Sequence, residues 1–288
     1  MTEALVRTPI KHETQSQLLE NTRAYLENCG SELCEHLSKY EKPIIKNETK
    51  NIQPSALSGI MIKLEEKADK KPEDLNELGV FYITQKKDIE KSEHYFLQAA
   101  QNGNIDAMNN LGSLYATEFK DKDKAEEYYL KAVEKDHTGA MNNLAWMYFE
   151  ERKNRKQSIE LSEKAFQKEN SSIYAHTNAT ILLWDNQFKE SLDIADSFLS
   201  NNEFLEGYAQ DVSQFLMLLI AKKQNHLALR IFSENPHKFK DRFKPIYYAL
   251  MHFMKDEYPN EYLKMGGELT ETVDEIIQKI KEMEKAYQ

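Results

Sequence analysis

Residues 107–116 read AMNNLGSLYA and residues 140–149 read AMNNLAWMYF, and the two stretches decide the fold because one is the other moved along by 33 positions. Upstream, DLNELGVFYI at 74–83 is a further copy, so Leu78, Leu111 and Leu144 are spaced by 33, as are Tyr82, Tyr115 and Tyr148. Gly79, Gly112 and Ala145 keep the same step beside the leucines. A second motif repeats in phase. KSEHYFLQAA, KAEEYYLKAV, QSIELSEKAF and ESLDIADSFL place Ser92, Ala125, Ser158 and Ser191 at intervals of 33, followed by Ala99, Ala132, Ala165 and Phe198. A fixed period of this length is the mark of stacked supersecondary units.

Within each first segment the apolar or small residues fall on one face of a 3.6-residue period, which predicts a helix. The small residue beside each leucine lets a neighbouring helix approach closely. A helix pair of this kind buries only part of its apolar surface alone, and stacking successive pairs buries the rest, so at least about three units are needed for stability and the ends need caps. Four units are visible, to about residue 203. The fourth first helix, around Tyr174 to Trp184, slips by one residue and loses the leucine signature.

Outside these units the chain still reads as helix. Residues 14–40 carry Leu18, Leu19, Leu26, Leu33 and Leu37 at helical steps, the Pro-bearing stretch EKPIIKNETKNIQP at 41–54 reads as a linker, and a short helix is expected near Ser55 to Ala68. Beyond the repeats, Gly207 to Lys222 and His226 to Phe232 form another pair, followed by Pro236, a segment from Pro245 to Met254, Pro259 and Gly266-Gly267. The last helix is expected to start at a Thr272/Glu275 capping box and carries Val273, Ile276, Ile277, Ile280 and Met283 on one side. A stripe of that kind serves a terminal cap or a dimerising helix. The expected architecture is all-α, an α-α superhelix of antiparallel helix pairs: an N-terminal helical extension over 1–70, four repeat units over 71–203, and degenerate repeats with a capping helix over 204–288.

Composition narrows the function classes. With 48 acidic against 38 basic residues the net charge is −10, a field that repels phosphate backbones and anionic membranes. The N-terminus MTEALVRTPIKHETQSQ has no apolar signal region, and no stretch approaches the roughly 18 apolar residues of a membrane span. A cytoplasmic protein is expected. Cys29 and Cys34 form neither a CxxC pair nor a zinc half-site and are expected to be structural.

The order Ala99, Ala100, Gly103, Asn104, Ala107, Leu111, Gly112 and Tyr115 resembles the SEL-one-like subtype of tetratricopeptide repeat, over residues 74–150 and more loosely to about 200. The turn between the paired helices is shorter than is usual there, and Asp136 stands where the closing turn of the next unit would carry Gly. The resemblance implies a right-handed solenoid whose first helices line a concave groove, used as a protein-interaction scaffold. Applied to this sequence, the register of that family puts Asn76, Asn109, Asn142 and His176 on the groove side. An asparagine ladder offers donors and acceptors to the backbone of an extended peptide. The alternative is that the amides bond between neighbouring units. Trp146, Phe149 and Trp184 fall at or near the same face, either as rigid anchors for a partner or as core. Glu73, Asp106 and Gly139 replace the Lys and Arg of carboxylate-clamp members, so such a clamp is not expected and a neutral or basic peptide suits the face better than an acidic one.

No GxGxxG, P-loop, HExxH, GxSxG or paired metal site appears in the sequence. No cofactor, metal or catalytic residue is therefore expected, and the chain reads as a non-catalytic scaffold or regulatory adaptor that binds a protein or peptide. Two alternatives stand beside it. One is a peptide-responsive sensor. The other is a helical ribonuclease, from the loose spacing of Arg7 with His12 and of Arg230 with His237, each interrupted by a proline. Runs such as KDKDKAEE are solvated helix faces.

Overall fold

The computed structural model describes residues 61–67, 69–234, 239, 243–264 and 271–287. The expected helix at 14–40, the linker at 41–54, Cys29, Cys34, Pro236 and Gly266-Gly267 lie outside the described residues. The fold class is all-α, of the helix-pair solenoid kind, with fourteen α-helices and no strand among the described residues. No helix among them is long and apolar enough to cross a membrane. The chain divides into two compact units, residues 1–147 and 148–288.

In the first unit α1 (Pro72–Phe81) pairs with α2 (Ile89–Gln101), and α3 (Ile105–Leu114) pairs with α4 (Lys122–Glu134). The unit boundary falls inside α5 (Thr138–Glu150). Starts are set by side-chain caps: Asp88, Asn104 and Asp121 each accept a hydrogen bond from the backbone N–H three residues on. In the first turn of α1, Asp74 accepts from the Lys71 N–H at 2.9 Å and from the Lys67 ammonium at 2.8 Å, with Pro72 at the start of the helix. Leu78, Leu111 and Leu144 are fully buried, as are Ala99 and Ala132.

The closeness of the paired helices follows from the small residues. A Cβ on Gly79 would lie 2.5 Å from the Phe96 ring, and one on Gly112 would lie 2.5 Å from the Tyr129 ring. Ser92 adds a hydrogen bond from its hydroxyl to the Gly79 carbonyl at 2.9 Å.

Two features of the repeat were not read from the sequence. The first helices α1 and α3 widen into π-helical turns, Tyr82–Lys86 and Tyr115–Phe119, closed by Lys87 and Lys120 at φ 55°. In each turn a threonine hydroxyl, of Thr84 or Thr117, donates to the carbonyl four residues back. The third copy has Glu150 at that register, and α5 stays α-helical. The second feature is a pin between successive pairs. Tyr115 stacks on Tyr128 with centroids 5.5 Å apart and donates its hydroxyl to the Glu93 carboxylate. Tyr82 likewise stacks on Tyr95, and both hydroxyls donate to Glu65, on the helical segment 61–66, at 2.6 and 2.8 Å. Met61 and Leu64 of that segment pack against Leu78, Phe81 and Tyr82.

The two phenols hold the Glu65 carboxyl below its usual range. Burial, and then the Glu93 carboxylate, push the Tyr115 phenol well up, so it remains a donor at physiological pH. Tyr115→Phe keeps the ring and removes only the bond to Glu93; it is expected to cost about 1.5 kcal/mol in urea unfolding, the net worth of a hydrogen bond to a charged group.

In the second unit α6 (Arg155–Lys168), α7 (Ser172–Trp184) and α8 (Phe188–Leu199) pack in sequence. α10 (Ala209–Ala221) fills the span expected from Gly207 to Lys222, and a short α9 (Asn202–Gly207), capped by Asn201 and not expected from the sequence, precedes it. α10 pairs with α11 (Asn225–Glu234), and α12 (Lys244–Phe253) is followed by α13 (Pro259–Lys264). The last helix, α14 (Glu271–Ala286), begins before Thr272, which therefore sits inside its first turn and is not the cap. Val273, Ile277, Ile280 and Met283 are buried.

Candidate functional site

The asparagines of the first helices are tied together across repeats. Asn110 donates its amide N–H to Asn76 Oδ1 at 2.9 Å, and Asn143 donates to Asn109 Oδ1 at 3.0 Å. Asn76 and Asn109 are each 8% exposed, with their carbonyl side spent on the neighbouring repeat. Asn142 is fully buried, and neither atom of its amide has a hydrogen-bond partner. A buried amide left in that state costs about 1–3 kcal/mol. The donors Asn110 and Asn143 were missed in the sequence although the doubled asparagine of MNNL stands in both copies; the register picks out one of two adjacent amides as groove-facing and does not say that its neighbour reaches back.

His176 belongs to the second unit. Its Nε2–H donates to the Asp211 carbonyl at 3.1 Å, and its ring lies edge-on to Phe198 with centroids 5.2 Å apart. Burial holds its pKa below the usual histidine value of 6.5, outweighing the pull of Asp211. Below that value the unfolded chain takes up a proton that the folded chain refuses. The contribution of His176 is therefore complete above about pH 6.5 and is lost as the pH falls through the depressed folded value. The melting temperature of the wild type is expected to fall more steeply between pH 7 and pH 5.5 than that of His176→Gln, as followed by circular dichroism.

The aromatic candidates are all buried. Trp146 is 1% exposed, Phe149 0% and Trp184 2%. Phe149 and Trp184 meet edge to face at 5.4 Å, and Tyr287 stacks flat on Phe149 at 5.3 Å. Two cations frame the cluster. The Arg155 guanidinium lies 4.6 Å from the Trp184 ring, and Arg152 lies 4.8 Å from the ring of Tyr287. Beside it Lys222 donates to the Trp184 carbonyl and to Asn186 Oδ1, both at 3.0 Å, and to the Tyr287 carbonyl. Tyr287, Lys222 and the two arginines gave no signal in the sequence, since nothing local ties a residue at the end of the last helix to the end of α5.

Among the described residues no group of three or more His, Cys, Asp or Glu is placed to hold a metal ion. Arg230 pairs with Glu234 on its own helix at 3.5 Å. Its sequence partner His237, and the pair Arg7 and His12, lie outside the described residues.

Comparison with known proteins bears on the same repeats. The model of the tetratricopeptide repeat matches residues 105–135, and that of the Sel1 repeat matches residues 72–104 and 138–170. No curated protein matches the chain. Repeats of both kinds are in general protein–protein interaction modules, typically without catalytic activity. With the matches falling in turn on the helix pairs that carry the asparagine row and the leucine period, the chain is a tetratricopeptide-like, Sel1-like repeat protein.

Proposed function

We propose that the chain is a non-catalytic adaptor that holds an extended peptide of a protein partner along the first helices of residues 72–150. The observation that carries this reading is the unspent half of the asparagine row. Asn76 and Asn109 give their carbonyl oxygens to the next repeat, and among the described residues nothing accepts from their amide hydrogens; Asn142, at the same register, is fully buried and is not a rung for the peptide. Like donors recurring at each repeat suit a main chain, which offers the same carbonyl at every residue. First helices in direct hydrogen-bond contact stand about 8–10 Å apart, which an extended strand covers in about three residues, so one peptide carbonyl meets each rung. In this reading the backbone supplies affinity, and the side chains between rungs supply the choice of partner.

The acidic balance favours a neutral or basic peptide over nucleic acid, and the proposal places the adaptor in the cytoplasm. Phe149 and Trp184, buried in one cluster with Tyr287, are assigned in this reading to the core of the second unit and not to anchors for the partner. Residues 1–70 are proposed as an extension to the repeats, whose helical segment 61–66 already packs on α1.

The test is affinity capture from the source cell lysate with wild type and with the double variant Asn76→Ala/Asn109→Ala, matched for helicity and melting. A protein retained by wild type and lost from the double variant is the expected result. Equal retention by both would remove the asparagine row from the binding surface.

A further inference from the structure

Three helix ends meet at one corner of the second unit. α14 packs on α10 and α12, and its C-terminal end comes to those of α7 and α10. Lys222, one residue past α10, fastens the three: its ammonium donates to the Trp184 carbonyl and to Asn186 Oδ1, both at 3.0 Å, and to the Tyr287 carbonyl. All of its hydrogens are spent there. The turns beside it are equally fixed. Asn186 and Lys223 each stand two residues past a helix, in the left-handed region at φ 64° and 61°, with their N–H groups returned to the carbonyls of Leu183 and Ile220.

Between these ends lies an open cavity of about 220 Å³, with Ala221, Met283 and Tyr287 as apolar lining and Asn186, Lys223 and Glu284 as polar lining. At about 30 Å³ per water it has room for about seven waters, or for a ligand with about as many non-hydrogen atoms. Its polar groups are of both signs. Lys223 and Glu284 pair at 2.7 Å, with their side chains 63% and 29% exposed, and an ion pair so open to water parts at small cost. Neither group is saturated by the other, since an ammonium has three hydrogens and a carboxylate two oxygens. Asn186 adds a further donor. Lys222 holds its Oδ1, which fixes the orientation of the amide, and among the described residues nothing accepts from its nitrogen.

Two donors and one acceptor beside an apolar wall complement a zwitterion. A carboxylate accepts from the Lys223 ammonium and the Asn186 amide, an ammonium donates to Glu284, and one exposed ion pair becomes two charge-assisted contacts. A simple anion would meet the Glu284 carboxylate, and a simple cation would meet Lys223; each leaves a like charge beside it. We infer that the cavity is a binding site for a free α-amino acid with a small aliphatic side chain, held by its carboxylate at Lys223 and Asn186 and by its ammonium at Glu284, with the side chain against Met283 and Tyr287. The site is separate from the asparagine row and does not depend on the peptide-holding role. Because its three polar contacts come from the ends of α7 and α10 and from α14, the bound amino acid ties those helices together, and its presence raises the stability of the second unit.

The test is isothermal titration of the full chain with glycine, alanine, serine and valine in turn, at up to about 10 mM, which detects a Kd of about 1 mM or tighter. Saturable binding of at least one is expected. Its N-acetyl and C-terminal amide forms each lack one charge and are expected to bind at least about tenfold more weakly, the effect of losing a hydrogen bond to a charged group. Glu284→Gln and Lys223→Gln change exposed side chains, so both are expected to melt as wild type does and to bind the free amino acid at least about tenfold more weakly. No saturable binding of any of the four overturns the inference. Equal affinity for the acetylated form would make the site one for a simple anion, and equal affinity for the amide would make it one for a cation or a peptide N-terminus; either result overturns the zwitterion. Unchanged affinity in both variants would place the binding elsewhere and overturn it as well. Asn76→Ala/Asn109→Ala is expected to leave these titrations unchanged, so failure of the asparagine row and failure of this site give different results.

Discussion

Phe149→Ala is expected to lower the stability of the second unit by about 3–5 kcal/mol, the range for removing a buried phenylalanine from a packed interior. The ring has no exposed surface, and it is held on two sides at once, edge to face by Trp184 and flat by Tyr287. Truncation removes both ring contacts, each worth about 0.5–1.5 kcal/mol beyond area burial, and leaves a cavity that Trp184 cannot collapse into while Arg155 lies over its other side. Phe149→Leu keeps much of the volume and is expected to cost less than half as much. Urea unfolding followed by Trp fluorescence measures both. A loss under about 1 kcal/mol for the alanine variant would mean that the cluster does not hold the unit together.

Gly112→Val is expected to destabilise the repeats by about 2–3 kcal/mol, against a helix propensity that favours valine over glycine. The new Cβ would stand 2.5 Å from the ring carbons of Tyr129. That ring cannot swing aside cheaply, because it is fully buried and its hydroxyl lies 3.1 Å from Ser113 Oγ. The third repeat gives an internal control, since the same two register positions hold Ala145 and Ser162, a larger residue facing a smaller one in the pattern. In the double variant Gly112→Ala/Tyr129→Ser the two costs are expected to be less than additive by at least about 1 kcal/mol in a double-mutant cycle. Strict additivity would show that the helices tolerate a side chain there and that the glycine has another reason.

The repeat was legible in the sequence because its physics is periodic and local. Leu78, Leu111 and Leu144 mark the buried stripe, and Gly79 and Gly112 mark the close approach that the rings of Phe96 and Tyr129 then occupy. The asparagines at 76, 109 and 142 were legible as a row, and their cross-repeat bonds were one of two readings open to them. Three other things were not legible, each for a stated cause. The π turns at Tyr82–Lys86 and Tyr115–Phe119 keep the same apolar period as an α-helix to within the length of one turn, so the pattern does not separate them. The partner of each phenol, Glu65 or Glu93, lies on the preceding helix and looks in sequence like any solvated carboxylate. The path of α14 depends on which surface receives its stripe, and an amphipathic stripe has no direction in it.

In the proposed function the first helices of the repeats hold a partner's main chain through the asparagine row. The most direct measurement is the affinity of a basic or neutral peptide, selected from a random library on immobilised wild type, for wild type and for Asn76→Ala/Asn109→Ala by fluorescence anisotropy. Losing two backbone hydrogen bonds of about 1 kcal/mol each predicts that the double variant binds about thirtyfold more weakly, with its melting transition still cooperative. Equal affinity in the two proteins would contradict the account and leave the asparagines as ties between repeats.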